Sequence, residues 1–240
     1  MSRQFLIGIY KETRNNAPEY KGQTRRLSLL LKIDEPKKRG ECIISVENID
    51  TLNFAEKLVQ EGYNPLVLNM ASFQSKGGGV ENGAIAQEEN LFRRSNYYKA
   101  IPDSFYPLHK EDMILSTDVT VFRNDFYEYI KNPFDVDMIA MAAIKNPKLK
   151  EDDTYFNEDD HELMDAKIKS IFLCALYNKN DSVLLSALGC GAYHNNPYIV
   201  AKIFKKYVDK YKPYFRFIAF GILGINENYS VFRKIISGED

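Results

Sequence analysis

The apolar positions of the chain change period along its length, and each change marks an element. Phe5, Leu6 and Ile9 recur at helical spacing and predict a short amphipathic helix over residues 2–14. Residues 26–33 and 41–46 read as strands, separated by the polar turn at 34–40. From Asp50 onward Leu52, Ala55, Leu58 and Val59 build one helix face, which Gly62 stops. The short apolar run 65–70, bounded by breakers, predicts a buried strand. A glycine-rich loop and a helix over 83–97 follow it, then extended runs at 113–122 and 136–143. Residues 145–160 are polar and acidic and read as a loop; a long helix is expected over 162–177. The last third repeats one unit twice. A strand at 182–188 precedes a helix at 197–211, and a strand at 215–220 precedes a helix at 226–236. In the first of these helices Ile199, Val200, Ile203, Phe204, Tyr207, Val208 and Tyr211 form an apolar stripe, with four lysines outside it. Strands alternating with helices predict a three-layer α/β/α fold around a central sheet.

Composition narrows the function classes. The 240 residues correspond to one large domain or two small ones, and one is expected here. A hydrophobic content of 45%, with 15 Phe and 16 Tyr, fills a sizeable core and excludes general disorder. The 32 basic residues nearly balance 33 acidic ones, which argues against a nonspecific duplex binder but leaves room for a compact anionic ligand. Cys42, Cys174 and Cys190 are far apart and odd in number, suggesting neither a disulfide framework nor a zinc knuckle. The first ten residues lack a secretory pattern, and no stretch reaches the ~20 apolar residues that cross a bilayer. A soluble, reducing, cytoplasmic setting is the expectation.

Two loops follow buried-type strands and lead into helices, the position at which open α/β sheets bind ligands. The first runs from Asn69 through Ser72, Gly77, Gly78, Gly79 and Val80 to Gln87, Glu88 and Glu89. Three consecutive glycines make either a flexible surface turn or a place where bare backbone approaches a ligand, its amides free for phosphate or ribose oxygens. The adjacent glutamates point about 100° apart on a helix, so each can take its own part of a ligand. As a bare pair they equally suit a solvated first turn that complements the helix dipole. The second loop is Gly189, Cys190, Gly191, Ala192, Tyr193, His194, with Asn196 as the expected N-cap and Pro197 as first helical residue. A strand, a Gly-x-Gly turn and a helix N-terminus form an anion site, although His194 replaces the third glycine of a dinucleotide fingerprint. Tyr193 suits stacking on a base, covering a ribose, or packing between loop and helix.

Taken together, Gly77-Gly78-Gly79, seven residues, then Gln87-Glu88-Glu89 resembles the signature of poly(ADP-ribose) glycohydrolases of the compact bacterial type. Leu68-Asn69, Ala71-Ser72, Leu91, the stretch from Arg94 to Tyr98, and the residues around Val121-Phe122-Arg123 resemble that family too. The resemblance implies a macrodomain with a central mixed sheet and an N-terminal helical extension, covering most of the chain. It implies Glu89 as the catalytic carboxylate, acting as acid and base, and Glu88 as the holder of ribose hydroxyls. Gly77, Gly78, Gly79 and Val80 would then touch the distal ribose and diphosphate. Gly189, Cys190, Gly191, Ala192 and Tyr193 would wrap the diphosphate and the adjoining ribose, Asn69 and Ser72 would contact ribose, and Gln87 would also bind substrate. Lys76 stands where the family pattern has proline, an exchange that would loosen the loop or add a phosphate partner.

The implied chemistry is hydrolysis of a ribose–ribose bond through an oxocarbenium-like state, the second charge coming from the substrate's own diphosphate. It calls for no cofactor, and the expected partner is ADP-ribose or its polymer on modified macromolecules, met by a monomer. Two other classes stand beside it. One is a module of the same fold that binds ADP-ribose, or frees it from a mono-modified protein, nucleic acid or small molecule. The other is an unrelated nucleotide enzyme, which the lack of a Walker-type Gly-Lys-Ser/Thr disfavours. His109, His161 and His194 show no metal-ligand spacing. Asp152, Asp153, Glu158, Asp159 and Asp160 lack the order of a calcium loop and read as a solvated face. Nothing marks Cys190 as a nucleophile.

Overall fold

The computed structural model describes residues 1–34, 36–150, 155 and 157–239. Its centre is the apolar run read as a buried strand: β3, Pro65–Met70. Such a run needs partners on both edges and cover on both faces. On one edge β3 pairs in parallel with β5, Tyr129–Met141, and on the other with β6, Ser182–Leu185. β6 pairs in parallel with β7, Phe217–Gly221, and β7 with β2, Ile43–Glu47. β5 turns back antiparallel onto β4, Asp112–Arg123, which pairs antiparallel with β1, Thr24–Ser28. The sheet is therefore mixed and seven-stranded, in the order β1-β4-β5-β3-β6-β7-β2.

Alternation along the strands sends side chains to two cores. Leu66 and Leu68 of β3 join Leu185, Ile218 and Phe220 under the helices α5, Glu158–Tyr177, α6, Pro197–Tyr211, and α7, Glu227–Phe232. Val67, Ile114, Met138 and Ala219 face the other way, under α2, Thr51–Gln60, and α3, Gln87–Arg94. The first helix, α1, Arg3–Asn16, lies on this second face, with Thr13 hydroxyl donating to the Arg93 carbonyl at 2.7 Å. Caps fix several helix starts. Asp50 Oδ1 accepts from the amides of Leu52 and Asn53, and Asn196 accepts from Tyr198 and Ile199 ahead of Pro197.

The differences from the expected elements have local causes. The helix expected over 83–97 is split. Gly83 sits left-handed at φ +73 after a 3₁₀ turn at Val80–Asn82, α3 covers only Gln87–Arg94, and α4 is the single turn Tyr97–Ala100. The break falls at Ser95 and Asn96 because both bond to β4. Ser95 bridges Val121, and Asn96 exchanges bonds with the Thr120 backbone at 3.1 and 2.9 Å. β5 begins at Tyr129, well before 136: its first half pairs with β4 beyond the stretch that pairs with β3 and carries mostly polar, exposed residues with no apolar period to read. The strands on either side of the 34–40 turn do not meet: β1 and β2 occupy opposite edges of the sheet. Glu158, Asp159 and Asp160 belong to the first turn of α5, complementing its dipole, whereas Asp152 and Asp153 lie outside the described residues. No described helix is long and apolar enough to cross a membrane.

Two buried arginines in α3 lock the second layer. Arg93 donates to the carbonyls of Ala84 at 2.5 Å, and of Leu6 and Val80 at longer range, tying the glycine-rich loop to α1. Arg94 pairs with Asp50 Oδ1 at 2.5 Å and with Asn53 Oδ1 at 2.8 Å. Asp50 thus caps α2 and neutralises a buried guanidinium at once. Asp50→Ala removes both roles and is expected to cost roughly 3–5 kcal/mol, read as a lowered urea midpoint at unchanged slope. A loss below ~1 kcal/mol, the range of a surface ion pair, would contradict this role.

Candidate active site

The site forms where β3 ends and α3 begins, and Gln87 joins the two. Its side-chain oxygen accepts from the Met70 amide at 2.9 Å and its nitrogen donates to the Leu68 carbonyl at 2.7 Å and to Thr51 Oγ1 at 3.3 Å. Gln87 lines the cleft, but its amide is consumed by the strand, so it holds the start of α3 in place. That start presents Glu88 and Glu89, which are 3% and 6% exposed. Neither carboxylate belongs to a solvated first turn.

Each glutamate is gripped by a main-chain amide of the first loop. Ser72 N–H donates to Glu88 Oε2 at 2.7 Å, and Gly79 N–H donates to Glu89 Oε1 at 2.8 Å. This grip accounts for the glycine run. A Cβ on Gly78 would lie 2.6 Å from Glu89 Oε1 and 3.0 Å from Glu88 Oε2, and its φ of +57 is itself a conformation that glycine favours. A Cβ on Gly77 would strike the Phe92 ring at 2.8 Å. The bare backbone approaches the protein's own carboxylates, and Gly78 and Gly79 line the cleft beside them. Lys76 neither loosens this loop nor faces the cleft. Its ammonium donates to the carbonyls of Tyr98 and Ile101 at 3.2 and 2.9 Å and pairs with Asp103, pinning the loop from behind.

Behind Glu88 lies a buried polar nest. Asn69 Nδ2 donates to Glu88 Oε1 at 3.3 Å, while Asn69 Oδ1 and the hydroxyls of Tyr97 and Tyr106 are buried without partners. Burial pushes the Glu88 carboxyl from 4.5 up to about 8, and the neighbouring Glu89 charge adds to the rise; the Ser72 amide and Asn69 oppose it. A neutral Glu88 also suits the nest, because rotating the Asn69 amide places Oδ1 opposite a carboxyl O–H. Glu89 Oε1 is held by Gly79, whereas Glu89 Oε2 is buried with no partner.

The second loop closes the other wall. Gly189 adopts φ +75, and a Cβ there would meet Ala143 Cβ at 2.5 Å and Asn195 Nδ2 at 2.6 Å. Asn195, missed in the sequence reading, is the hub. Its amide donates to the carbonyls of Ile144 at 2.7 Å and Gly189 at 3.2 Å, and its oxygen accepts from Tyr155 hydroxyl at 3.0 Å. The signal was the Asn195-Asn196-Pro197 sequence, in which only the second asparagine is needed as a cap. Tyr193 packs edge-on to Phe73 with centroids 6.2 Å apart, and its hydroxyl accepts from the Phe73 amide at 3.1 Å, linking the two loops.

Between the loops lies a cleft of about 350 Å³. Ser72, Gly78, Gly79, Gln87, Glu88, Glu89, Gly189, Gly191, Ala192 and Tyr193 all line it, joined by Met70, Ala71, Ala86 and Ala143. Asn69, Gly77, Val80 and Cys190 were expected at the ligand but stand behind this lining. Asn69 supports Glu88, Gly77 packs on Phe92, and Val80 is buried in the core. Burial pushes the Cys190 thiol up to about 12, so it holds its proton at neutral pH and is no nucleophile. His194 serves the loop turn, at φ +54 with its amide donating to the Gly191 carbonyl. Among the described residues no group of three or more His, Cys, Asp or Glu side chains is arranged to hold a metal.

A mixed sheet with helices on both faces, and a cleft between the loops after two adjacent parallel strands, is the arrangement of the macrodomain class. Within that class, residues 10–124, just under half of the chain, match the family model of the microbial-type PARG catalytic domain. That span contains the triple glycine and both glutamates. The fold is similar to poly(ADP-ribose) glycohydrolase from Thermomonospora curvata, with a TM-score of 0.79 and 20% identity over 97% of this chain and 98% of that one. A structure of the Thermomonospora enzyme bound to the inhibitor ADP-HPD gives 0.78 and 22% over the same shares. The poly(ADP-ribose) glycohydrolase from Deinococcus radiodurans in complex with ADP-ribose gives 0.71 and 19%, over 99% of this chain and 93% of that one. No curated protein matches the chain.

The raised Glu88 pKa carries a stability consequence. Between 4.5 and about 8 the unfolded chain ionises Glu88 while the folded chain keeps its proton, so folding is progressively disfavoured as pH rises through that window. The penalty is absent below 4.5 and fully developed above about 8. Glu88→Gln removes it. Urea unfolding at pH 5 and pH 9 should show the variant gaining on the wild type by on the order of 3–5 kcal/mol at the higher pH. An equal gap at both pH values would mean Glu88 is ordinary.

Proposed function

We propose that this chain is a poly(ADP-ribose) glycohydrolase that cleaves the ribose–ribose bond with Glu89 as acid and base, residues 1–240 acting as one catalytic unit and as a monomer. The observation that carries the reading is the state of the Glu89 carboxyl: one oxygen fixed by the Gly79 amide at 2.8 Å, the other buried and unpartnered in a residue that lines the cleft. Such an unpartnered oxygen is costly to bury and is accounted for by a group that arrives with the substrate.

The residues then divide the work. Gly189, Gly191 and Ala192, ahead of the α6 N-terminus, offer backbone to the diphosphate. Tyr193 covers the distal ribose. Glu88, largely protonated at neutral pH, can both donate to and accept from a ribose hydroxyl. In its protonated form Glu89 gives its proton to the bridging oxygen as the bond to the anomeric carbon breaks, and the bonding pair leaves with that oxygen. The oxocarbenium-like centre is stabilised by the substrate's own diphosphate. Water then adds to the anomeric carbon and returns a proton to Glu89. The products are ADP-ribose and a polymer one unit shorter.

Glu89→Gln keeps the Gly79 bond through the amide oxygen but cannot transfer the proton. The variant is expected to bind ADP-ribose within a few-fold of the wild type and to lose roughly 10²–10⁴-fold in kcat on poly(ADP-ribose), with free ADP-ribose measured by chromatography. Undiminished turnover would exclude Glu89 as the acid. A wild-type chain that binds ADP-ribose and releases none from polymer would instead be a binding module of this fold.

A further inference from the structure

We propose that a second cavity, adjoining the cleft, seats the neighbouring ADP-ribose unit of the polymer, so that two consecutive units are recognised together. This rests on the glycohydrolase reading and specifies its substrate. The cavity measures about 250 Å³ and shares Ala143 with the cleft. The partition between them is the Phe73–Tyr193 pair: Phe73 lines the second cavity, Tyr193 lines the first, and the Phe73 amide bonds the Tyr193 hydroxyl. A polymer held in the cleft at its distal ribose has to continue past one of the cleft's edges, and this edge leads into a prepared space.

The lining has the chemistry of a nucleotide rather than of a sugar or a peptide. Phe73, Leu108, Ile144 and Leu163 offer apolar surface for a base, while Lys110 and Lys145 bring positive charge for a diphosphate, with Asp160 the one carboxylate among the described lining residues. Lys145 is poised at the partition, its ammonium 5.9 Å from the Phe73 ring centre and 6.0 Å from that of Tyr193. It is exposed, and it pairs with no carboxylate among the described residues. Lys167, by contrast, is buried, and its ammonium donates to the Lys110 carbonyl at 2.5 Å. A cation placed over an aromatic wall between two cavities suits the phosphates of a chain that crosses it.

The test uses the full chain carrying Glu89→Gln, so that polymer stays intact, with fluorescence anisotropy of labelled ADP-ribose and of a labelled short ADP-ribose oligomer. The oligomer should bind at least tenfold more tightly than the single unit. Lys145→Glu should erase most of that advantage while leaving the single unit within twofold, and Lys145→Arg should keep it. Equal affinity for both ligands would overturn the second subsite, as would a Lys145→Glu effect that is the same on both. If single-stranded DNA of matched charge competes as well as the oligomer, the cavity is a general polyanion surface and the proposal falls. Failure of ADP-ribose itself to bind would overturn the glycohydrolase reading, and the subsite with it.

Discussion

Two main-chain amides, those of Ser72 and Gly79, hold two buried carboxylates side by side on one helical turn, and the remaining architecture serves that grip. A loop can bring its backbone so close to a glutamate pair only if it carries no side chain at the point of approach, which is why glycine stands at position 78. The helix can present the pair only if its first turn is fixed to the sheet, which Gln87 does by bonding the backbone on either side of Asn69. The loop can hold its shape only if it is anchored elsewhere, and Arg93 and Lys76 anchor it through carbonyl oxygens of neighbouring segments.

The arrangement sets stability against function. A carboxyl with a pKa near 8, a second with an unpartnered oxygen, and a nest of unbonded hydroxyls behind them are all unfavourable in the folded chain. They persist because the surrounding layers are strongly determined: the central strand is covered on both faces, and the charged framework of Asp50 with Arg94 fixes α2 against α3. Holding Glu88 neutral removes one charge from the pair, which suits the role proposed for Glu89 as acid and base.

Much of this was legible in the sequence where a single physical cause acted locally. The strand Pro65–Met70 and the helix Pro197–Tyr211 were placed at their observed bounds, since an apolar run between breakers and an Asn-Pro cap each specify themselves. The cleft-lining glutamates and glycines were found because close backbone approach, anion-binding loops and paired carboxylates leave marks in residue type. What was missed depended on distant partners. The helix through Ser95 breaks because β4 bonds that segment, and local propensity contains no trace of β4. Asn69 reads as a ligand contact by position, yet it points behind the cleft to support Glu88. The glycine run by itself suits either a surface turn or close approach to a ligand, whereas the closest neighbours of Gly78 are the two carboxylates. Lys76, an exchange for proline, acts as an anchor whose carbonyl acceptors lie more than twenty residues downstream.

The amide grip depends on the spacing between the loop and the glutamates, and Gly78→Ala probes that spacing with one carbon atom. The added methyl would have to share space with both carboxylates, and under the proposed role of Glu89 a displacement of its oxygens is expected to cost about 10²-fold in rate. The predicted result is a kcat on poly(ADP-ribose) lowered by about that factor or more, in a chain that still folds cooperatively. Wild-type turnover from Gly78→Ala would show that the amide grip does not position the catalytic carboxylate, and would contradict the account at its centre.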